Sequence, residues 1–173
     1  WPMRRKAPKP PQDRPTAGWI PPAVVLLATF ASGAILLFPG YIGAVDVWPH
    51  MVRQQVVYEC LKQGAAPFFT FQFYGGFPIL RFYGPLFALL SGLATFATGG
   101  NLLPALKGVL FLLHCASAWA MFAFLRRHAR PAGAAVGTAV YVLVPWRLIS
   151  LVTEANFPQA LVYLLLPLCF LAL

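Results

Sequence analysis

Long apolar runs alternate with short polar segments along most of the chain. The cleanest run extends from Ala23 to Val45 and contains no charged residue. About 20 apolar residues are needed for a helix to cross a bilayer core that is roughly 30 Å thick. The pattern predicts an all-α, polytopic transmembrane protein with about four spans, which run over 22–43, 102–125, 131–148 and 158–173.

The segment between the first two spans, 44–101, is predicted to be an outer loop that contains surface helices. Its string VWPHMVRQQVVYECLKQG places apolar residues at helical spacing, which predicts an amphipathic helix along the membrane surface. A second apolar stretch, 82–98, is at the lower limit for spanning. If it crossed, the string RRHAR would lie opposite the basic N-terminal tail. The charge distribution therefore favours a half-buried helix that stays within the outer loop.

Composition and charge agree with this topology. The chain is 60% hydrophobic and 10% charged, whereas about a quarter of the residues of a soluble domain are charged. Much of the net charge of +9 lies in the N-terminal tail and in RRHAR, which is the pattern of the positive-inside rule and not of a nucleic-acid-binding protein. Residues 1–20 are predicted to form a disordered cytoplasmic tail. A secretory signal is the alternative, but the apolar stretch is longer than a signal core.

The remaining residues, 21–173, are interpreted as one membrane domain. The last apolar run stops before any polar flank, which favours the N-terminal part of a larger polytopic protein. Common soluble motifs such as the P-loop and the Rossmann fingerprint are absent. Candidate chemistry therefore rests on ionisable groups near the outer ends of the predicted helices. Such groups are costly and tend to be functional at membrane depth, and the cost falls near the interface.

Asp46 is the principal candidate for catalysis, because it follows directly on the first predicted span. Its carboxylate can accept a proton from a hydroxyl or bind a divalent metal that bridges to phosphate. The alternative is a helix cap for the surface helix. His50 lies one helical turn further along, as a substrate-binding candidate or a solvated interfacial histidine. Glu154 lies in the string RLISLVTEANF, which is predicted on the same side of the membrane.

Four further residues are predicted to bind substrate or phosphate. Arg81 and Tyr83 belong to FYGGFPILRFYGPL, a string of aromatic residues, glycines and prolines that suits a rigid sugar or lipid pocket. An aromatic belt with a snorkelling arginine is the alternative. Lys107 is about 9 Å into its helix, where it either snorkels or faces a lipid phosphate. Arg147 is predicted at the outer end of its helix, where it either binds phosphate or pairs with Glu154.

Three strings together resemble a known family: D-x-x-x-H after the first span, GGFPILRFYGPL, and a span that ends in VPWRL. They resemble the pyruvoyl-tetrahydropterin-synthase-related bacterial membrane proteins, which are similar to the wider GT-C glycosyltransferase superfamily that includes the YfhO-like proteins. The resemblance extends from about Asp46 to Leu173. It implies a GT-C-like N-terminal module in the bacterial inner membrane, with Asp46 as the base or metal ligand.

The resemblance implies a membrane enzyme that transfers a sugar from a polyprenyl-phosphate donor to an acceptor at the outer face. A divalent cation, Mg or Mn, is its implied cofactor. The second outer loop departs from the family pattern, because Ser150, Glu154 and Gln159 stand where other residues are expected. The alternative is a transporter, a flippase-like protein or a non-catalytic protein of the same fold. Transporters place ionisable groups near the membrane midplane, whereas the charges here are predicted at one face.

Overall fold

The computed structural model describes residues 18–71, 75–81 and 83–173. The regular structure in these ranges is helical, apart from an isolated bridge between Thr70 and Phe77, which confirms the predicted all-α class. Residues 1–17 of the predicted cytoplasmic tail lie outside these ranges. The helices are α1 (Ile20–Gly33), α2 (Val47–Lys62), α3 (Pro85–Ala97), α4 (Leu102–Arg126), α5 (Pro131–Leu143), α6 (Pro145–Val152) and α7 (Gln159–Ala172).

Helix α4 is the central element, since it packs against α1, α2, α3, α5 and α7. Two described helical segments, Leu102–Arg126 and Pro131–Val152, are long and apolar enough to cross a membrane. Only 39% and 33% of their most apolar windows are buried within the protein. The remaining apolar surface therefore faces outward, as a lipid-contacting helix requires. The other predicted spans correspond to shorter helices.

The first predicted span, 22–43, is shorter in the structure. Helix α1 ends at Gly33, and a 3₁₀ turn continues it only to Leu36. The chain then contains Pro39 and Gly40, whose φ of +106° is incompatible with a right-handed helix. Hydropathy cannot distinguish an apolar helix from an apolar loop, so the predicted span extended beyond the end of the helix.

The predicted span 131–148 is divided into two helices. Val144 has an extended ψ of 124° between α5 and α6, because the ring of Pro145 disfavours the helical conformation for the preceding residue. The break reorients α6 relative to α5. As a result, the side chain of Arg147 lies inside the bundle and not at its outer end.

Helices α2 and α3 form a packed pair above the start of α4. The apolar face of α2 is covered by α3 and by Ile79 and Leu80, so protein covers the stripe that was predicted to lie on the membrane. A Cβ atom at Gly92 of α3 would lie 2.8 Å from the Cβ of Val57, so only glycine allows this approach. The buried Gln54 amide donates to Thr95 Oγ1 at 2.9 Å and thereby joins the two helices.

The ends of the helices show which loops share one end of the bundle. Helix α1 runs antiparallel to α4, since Ser32 bonds to His114 and Phe38 bonds to Lys107. At the opposite end, Arg127 donates to the carbonyl of Leu171. The α1–α2 and α6–α7 loops therefore lie at the end where α4 begins, and RRHAR lies at the other end. Helix α3 is about 20 Å long at roughly 1.5 Å per residue; its predicted place outside the bilayer stays a prediction.

Candidate functional site

A cavity of about 340 Å³ lies at the end of the bundle where α4 begins, and we call it the outer cleft. Its lining residues come from three separate parts of the chain and are Val45, Asp46, Tyr83, Glu154 and Asn156. Three of the predicted site residues, Asp46, Tyr83 and Glu154, thus meet in one cavity. Two carboxylates and a phenol that line a cavity of this size provide the polar groups that a sugar-sized ligand requires.

Asp46 occupies the N-cap position of α2, but its side chain makes no capping hydrogen bond. The geometry therefore does not support the capping alternative. The carboxylate is half-buried and lines the outer cleft, where it is available to a ligand. Its position depends on the chain that leaves the 3₁₀ turn at Leu36 and enters α2 at Val47.

The loop that carries Glu154 is bound to the segment that carries Asp46. The amide of Val45 donates to the carbonyl of Thr153 at 3.3 Å. Ala155 is fully buried and has a φ of +55°, an uncommon conformation for a residue with a side chain. Strained backbone of this kind persists where the surroundings hold it and is found at functional sites. The two carboxylates are therefore held in fixed relative positions by backbone contacts.

His50 lies beneath the outer cleft and not in its lining. Its side chain is 4% exposed, and its ring centroid is 5.6 Å from Tyr83 and 5.0 Å from Phe157. Burial, reinforced by the charge of Arg53, lowers the pKa of His50 to about 4, although a hydrogen bond to the Ala155 backbone opposes this shift. The imidazole is therefore neutral at pH 7 and joins α2 to the Glu154 loop.

Arg53, on the same helix, was not among the predicted site residues. The central carbon of its guanidinium lies 4.2 Å from the ring centroid of Tyr83, which lines the outer cleft. Its Nε and Nη1 atoms are buried and have no hydrogen-bond partner. The spacing of Asp46, His50 and Arg53 along α2 was the signal for this residue, since all three recur at near-helical intervals.

Arg81 and Lys107 are not among the residues that line the outer cleft. Arg81 is exposed in the turn after Leu80. The ammonium of Lys107 donates to the carbonyls of Phe38 and Gly40, at 2.5 and 2.9 Å. Lys107 thus binds the loop that follows α1, and its predicted role in phosphate binding has no geometric support in the outer cleft.

Arg147 lies in the interior of the bundle, contrary to its predicted place at the outer end of a helix. It is 1% exposed and its guanidinium is sandwiched between two tyrosine rings. Its Nη2 donates to Ser117 and to His114 Nδ1, the latter at 3.1 Å, so it does not pair with Glu154. We call this group the buried arginine cluster, and its members are Ser32, His114, Ser117, Tyr141, Arg147, Ser150 and Tyr163.

His114 is a central member of the buried arginine cluster that sequence reasoning did not identify. It lies twelve positions from either end of α4, and its Nε2 is 2.9 Å from Ser32 Oγ. Because Arg147 donates to Nδ1, the remaining proton is on Nε2 and points to Ser32. A histidine in the middle of an apolar run was the available signal, since ionisable groups at that depth are costly.

The carboxylates of the outer cleft suit a divalent cation only in part. No group of three or more His, Cys, Asp or Glu side chains occurs among the described residues. Asp46 and Glu154 nevertheless line the same cavity, and Mg²⁺ is commonly bound by one or two carboxylates together with substrate phosphates. The donor set therefore fits a cation that arrives with a phosphorylated substrate.

One comparison with known proteins identifies a family. The model for the 6-pyruvoyl-tetrahydropterin synthase related domain, described as a membrane protein, matches residues 80–173, which is more than half of the chain. This match includes Tyr83, Arg147 and Glu154 but not Asp46, His50 or Arg53. No curated protein and no solved structure matches the chain significantly.

Proposed function

We propose a function from the premise that the chain belongs to the 6-pyruvoyl-tetrahydropterin synthase related family of membrane proteins. The proposal is that it transfers a sugar from a polyprenyl-phosphate donor to an acceptor hydroxyl, and that the reaction takes place in the outer cleft. The observation that carries it is the convergence of Asp46 and Glu154 on one cavity at one end of the bundle. The resemblance to GT-C glycosyltransferases supports the same assignment.

The location of the outer cleft suits a lipid-linked donor. The cavity lies among loops at the end of the bundle where α4 begins, and α4 is long and apolar enough to cross a membrane. The opposite end of the bundle carries RRHAR, which the positive-inside rule assigns to the cytoplasm. In this orientation the outer cleft faces the outer side of the inner membrane, where a polyprenyl chain in the bilayer can present its phosphate.

The chemistry requires one proton acceptor and one group that holds the sugar. Asp46 accepts the proton of the acceptor hydroxyl. The oxygen of that hydroxyl forms a bond to the anomeric carbon of the sugar. The bond from that carbon to the phosphate oxygen breaks, and the phosphate leaves with the electron pair. Glu154 positions sugar hydroxyls, and both carboxylates would hold a divalent cation that neutralises the departing phosphate.

The test compares Asp46→Asn with Asp46→Ala. Asparagine retains the size of aspartate and its capping ability but removes the proton-accepting charge. General-base catalysis contributes about 10²–10⁴-fold, so we expect sugar transfer by Asp46→Asn to fall by about that factor without loss of stability. The measurement is transfer from a polyprenyl-phosphate sugar by membrane-reconstituted protein. Normal turnover by Asp46→Asn would overturn the proposal, whereas a defect confined to Asp46→Ala would restore the capping alternative.

A second candidate function, transport of a lipid-linked or anionic substrate, is favoured by the buried arginine cluster. Transporters place ionisable groups and helix breaks near the membrane midplane. Two observations support this candidate: His114 lies at the centre of α4, and Val144 interrupts the helical segment that carries Arg147. The charges are therefore not confined to one face, which differs from the placement predicted from the sequence. Transport that persists in Asp46→Asn but is lost in Arg147 variants of normal stability would favour this function.

A further inference from the structure

The outer cleft lacks a cation among its lining residues, although the proposed donor is a phosphate. Its lining includes two carboxylates, which repel an anion at neutral pH. Lys107 is engaged by two backbone carbonyls, and Arg147 lies inside the bundle. A phosphate that enters the outer cleft therefore needs a positive charge from elsewhere nearby.

Arg53 is placed to supply that charge. The central carbon of the Arg53 guanidinium lies 4.2 Å from the ring centroid of Tyr83, a 41% exposed residue that lines the outer cleft. The Nε and Nη1 atoms of Arg53 have no hydrogen-bond partner. Leaving buried donors of a charged group unsatisfied is costly, so these two N–H groups retain capacity for an acceptor.

The surroundings keep Arg53 charged. Burial lowers the pKa of Arg53, but the electrostatic contributions of Tyr83 and Asp46 oppose that shift. An arginine remains protonated in proteins under such conditions. Its planar fork then matches the oxygens of a phosphate in a bidentate manner, which a lysine cannot reproduce.

We propose that Arg53 is the phosphate-binding residue of the outer cleft and that Tyr83 is its movable cover. The ligand class is a phosphate monoester or diester, whose oxygens accept from Nε and Nη1 once the Tyr83 ring turns aside. This inference rests on the proposed function, because it names the group that holds the donor phosphate. It replaces the predicted phosphate contacts of Arg81, Lys107 and Arg147 with a residue of α2.

The experiment measures binding of undecaprenyl monophosphate to the protein in lipid nanodiscs by native mass spectrometry. Arg53→Gln should weaken binding by about 10–100-fold, the range for a lost charge-assisted hydrogen bond. Arg53→Lys should retain part of the affinity. The matched control is Lys62→Gln, since Lys62 is an exposed cation on the same helix that lies 5.7 Å from the ring of Tyr58. Its replacement should leave binding unchanged.

Two further arms keep the proposal falsifiable. In the wild-type protein, undecaprenyl monophosphate should protect Arg53 from modification by phenylglyoxal, a result that does not depend on the folding of a variant. Excess inorganic phosphate should displace the lipid if the site takes free phosphate, and should leave the lipid bound if the polyprenyl chain contributes. The displacement arm identifies the source of the phosphate, and the protection arm decides whether Arg53 binds it.

The binding assay and the transfer assay can fail independently of each other. A failure of this inference is therefore distinguishable from a failure of the proposed function. In buffer without divalent cations, Asp46→Asn should bind undecaprenyl monophosphate at least as tightly as the wild-type protein, because one repelling charge is removed, although its transfer activity is lost. Binding by Arg53→Gln within twofold of the wild-type value, or absence of Arg53 protection, would overturn the role of Arg53. A loss of binding in Arg81→Gln alone would return the phosphate contact to Arg81.

Discussion

The outer cleft and the buried arginine cluster are both polar, but their polar groups face in different directions. In the outer cleft, Asp46 and Glu154 line a cavity and the Asp46 side chain makes no capping bond. In the buried arginine cluster, the groups face each other: Arg147 donates to His114 and Ser117 between two aromatic rings. The polar groups of the first region are open to a cavity, whereas those of the second contact groups on other helices, apart from Arg147 Nε and Nη1, which have no hydrogen-bond partner.

The two regions are connected, because the buried arginine cluster supports the segments that form the outer cleft. The buried arginine cluster joins α1, α4, α5, α6 and α7 around the break at Val144. Helix α6 leads directly into the loop that carries Glu154, and that loop pairs with Val45 beside Asp46. We infer that the cluster positions the outer cleft without touching its ligand.

The largest loss of stability is expected when the guanidinium of Arg147 is removed from the buried arginine cluster. Arg147→Ala removes the cation from between Tyr141 and Tyr163, removes the donor to His114, and leaves a cavity. We expect the free energy of unfolding to fall by about 3 kcal/mol, the usual range for large-to-small changes in a packed interior. Unfolding by SDS titration of the reconstituted protein measures this change.

Arg147→Met provides the matched comparison, since it fills most of the volume without the charge. Replacement of a buried charge by an apolar residue of similar size is often neutral, so its free energy of unfolding should stay within about 1 kcal/mol of wild type. Sugar transfer should then also be retained. A stable Arg147→Met protein without transfer would contradict a purely structural role for the cluster.

A smaller loss of stability is expected from a substitution at the close contact between α2 and α3. In Gly92→Ala, the new Cβ would lie 2.8 Å from the Cβ of Val57, so α2 must shift with the residues of the outer cleft. We expect a loss of about 2 kcal/mol, typical of overpacking, together with reduced transfer. Gly108→Ala in α4 is the control, because a Cβ there meets no atom within 4 Å. Equal stability of the two variants would contradict the close packing.

The smallest effect concerns the pH dependence of the outer cleft. Because the pKa of His50 falls from an ordinary value of 6.5 to about 4 in the folded protein, its contribution to stability is complete above pH 6.5. It is progressively lost as the pH falls toward 4. The free-energy difference between wild type and His50→Gln should therefore shrink by about 1 kcal/mol between pH 7 and pH 5. A difference that is constant with pH would contradict the burial of a neutral imidazole, and His128→Gln, an exposed position, is the control.

Much of the architecture could be predicted from local sequence. A helix was predicted over the string VWPHMVRQQVVYECLKQG, and α2 occupies Val47–Lys62 of it. The helix ends before Gly64, whose φ of +68° favours glycine. The family match confirms the predicted membrane protein and its predicted membership of the 6-pyruvoyl-tetrahydropterin synthase related family. The likeness to GT-C glycosyltransferases, the roles of the site residues and the use of a polyprenyl-phosphate sugar remain proposals. Helix ends were less accurate, because apolar loop and apolar helix have the same hydropathy.

The sequence by itself determined the helical, membrane-embedded class and the sharing of one side by the Asp46 and Glu154 loops. Both follow from properties that add up along the chain, namely the length of apolar runs and the predicted number of crossings between basic segments. Only the tertiary structure decided that Arg53 lies beside the outer cleft and that Arg147 lies inside the bundle with His114. Those positions depend on the rotation of each helix, the break before Pro145 and the close approach at Gly92, and a hydropathy pattern carries no information about which neighbour a side chain meets.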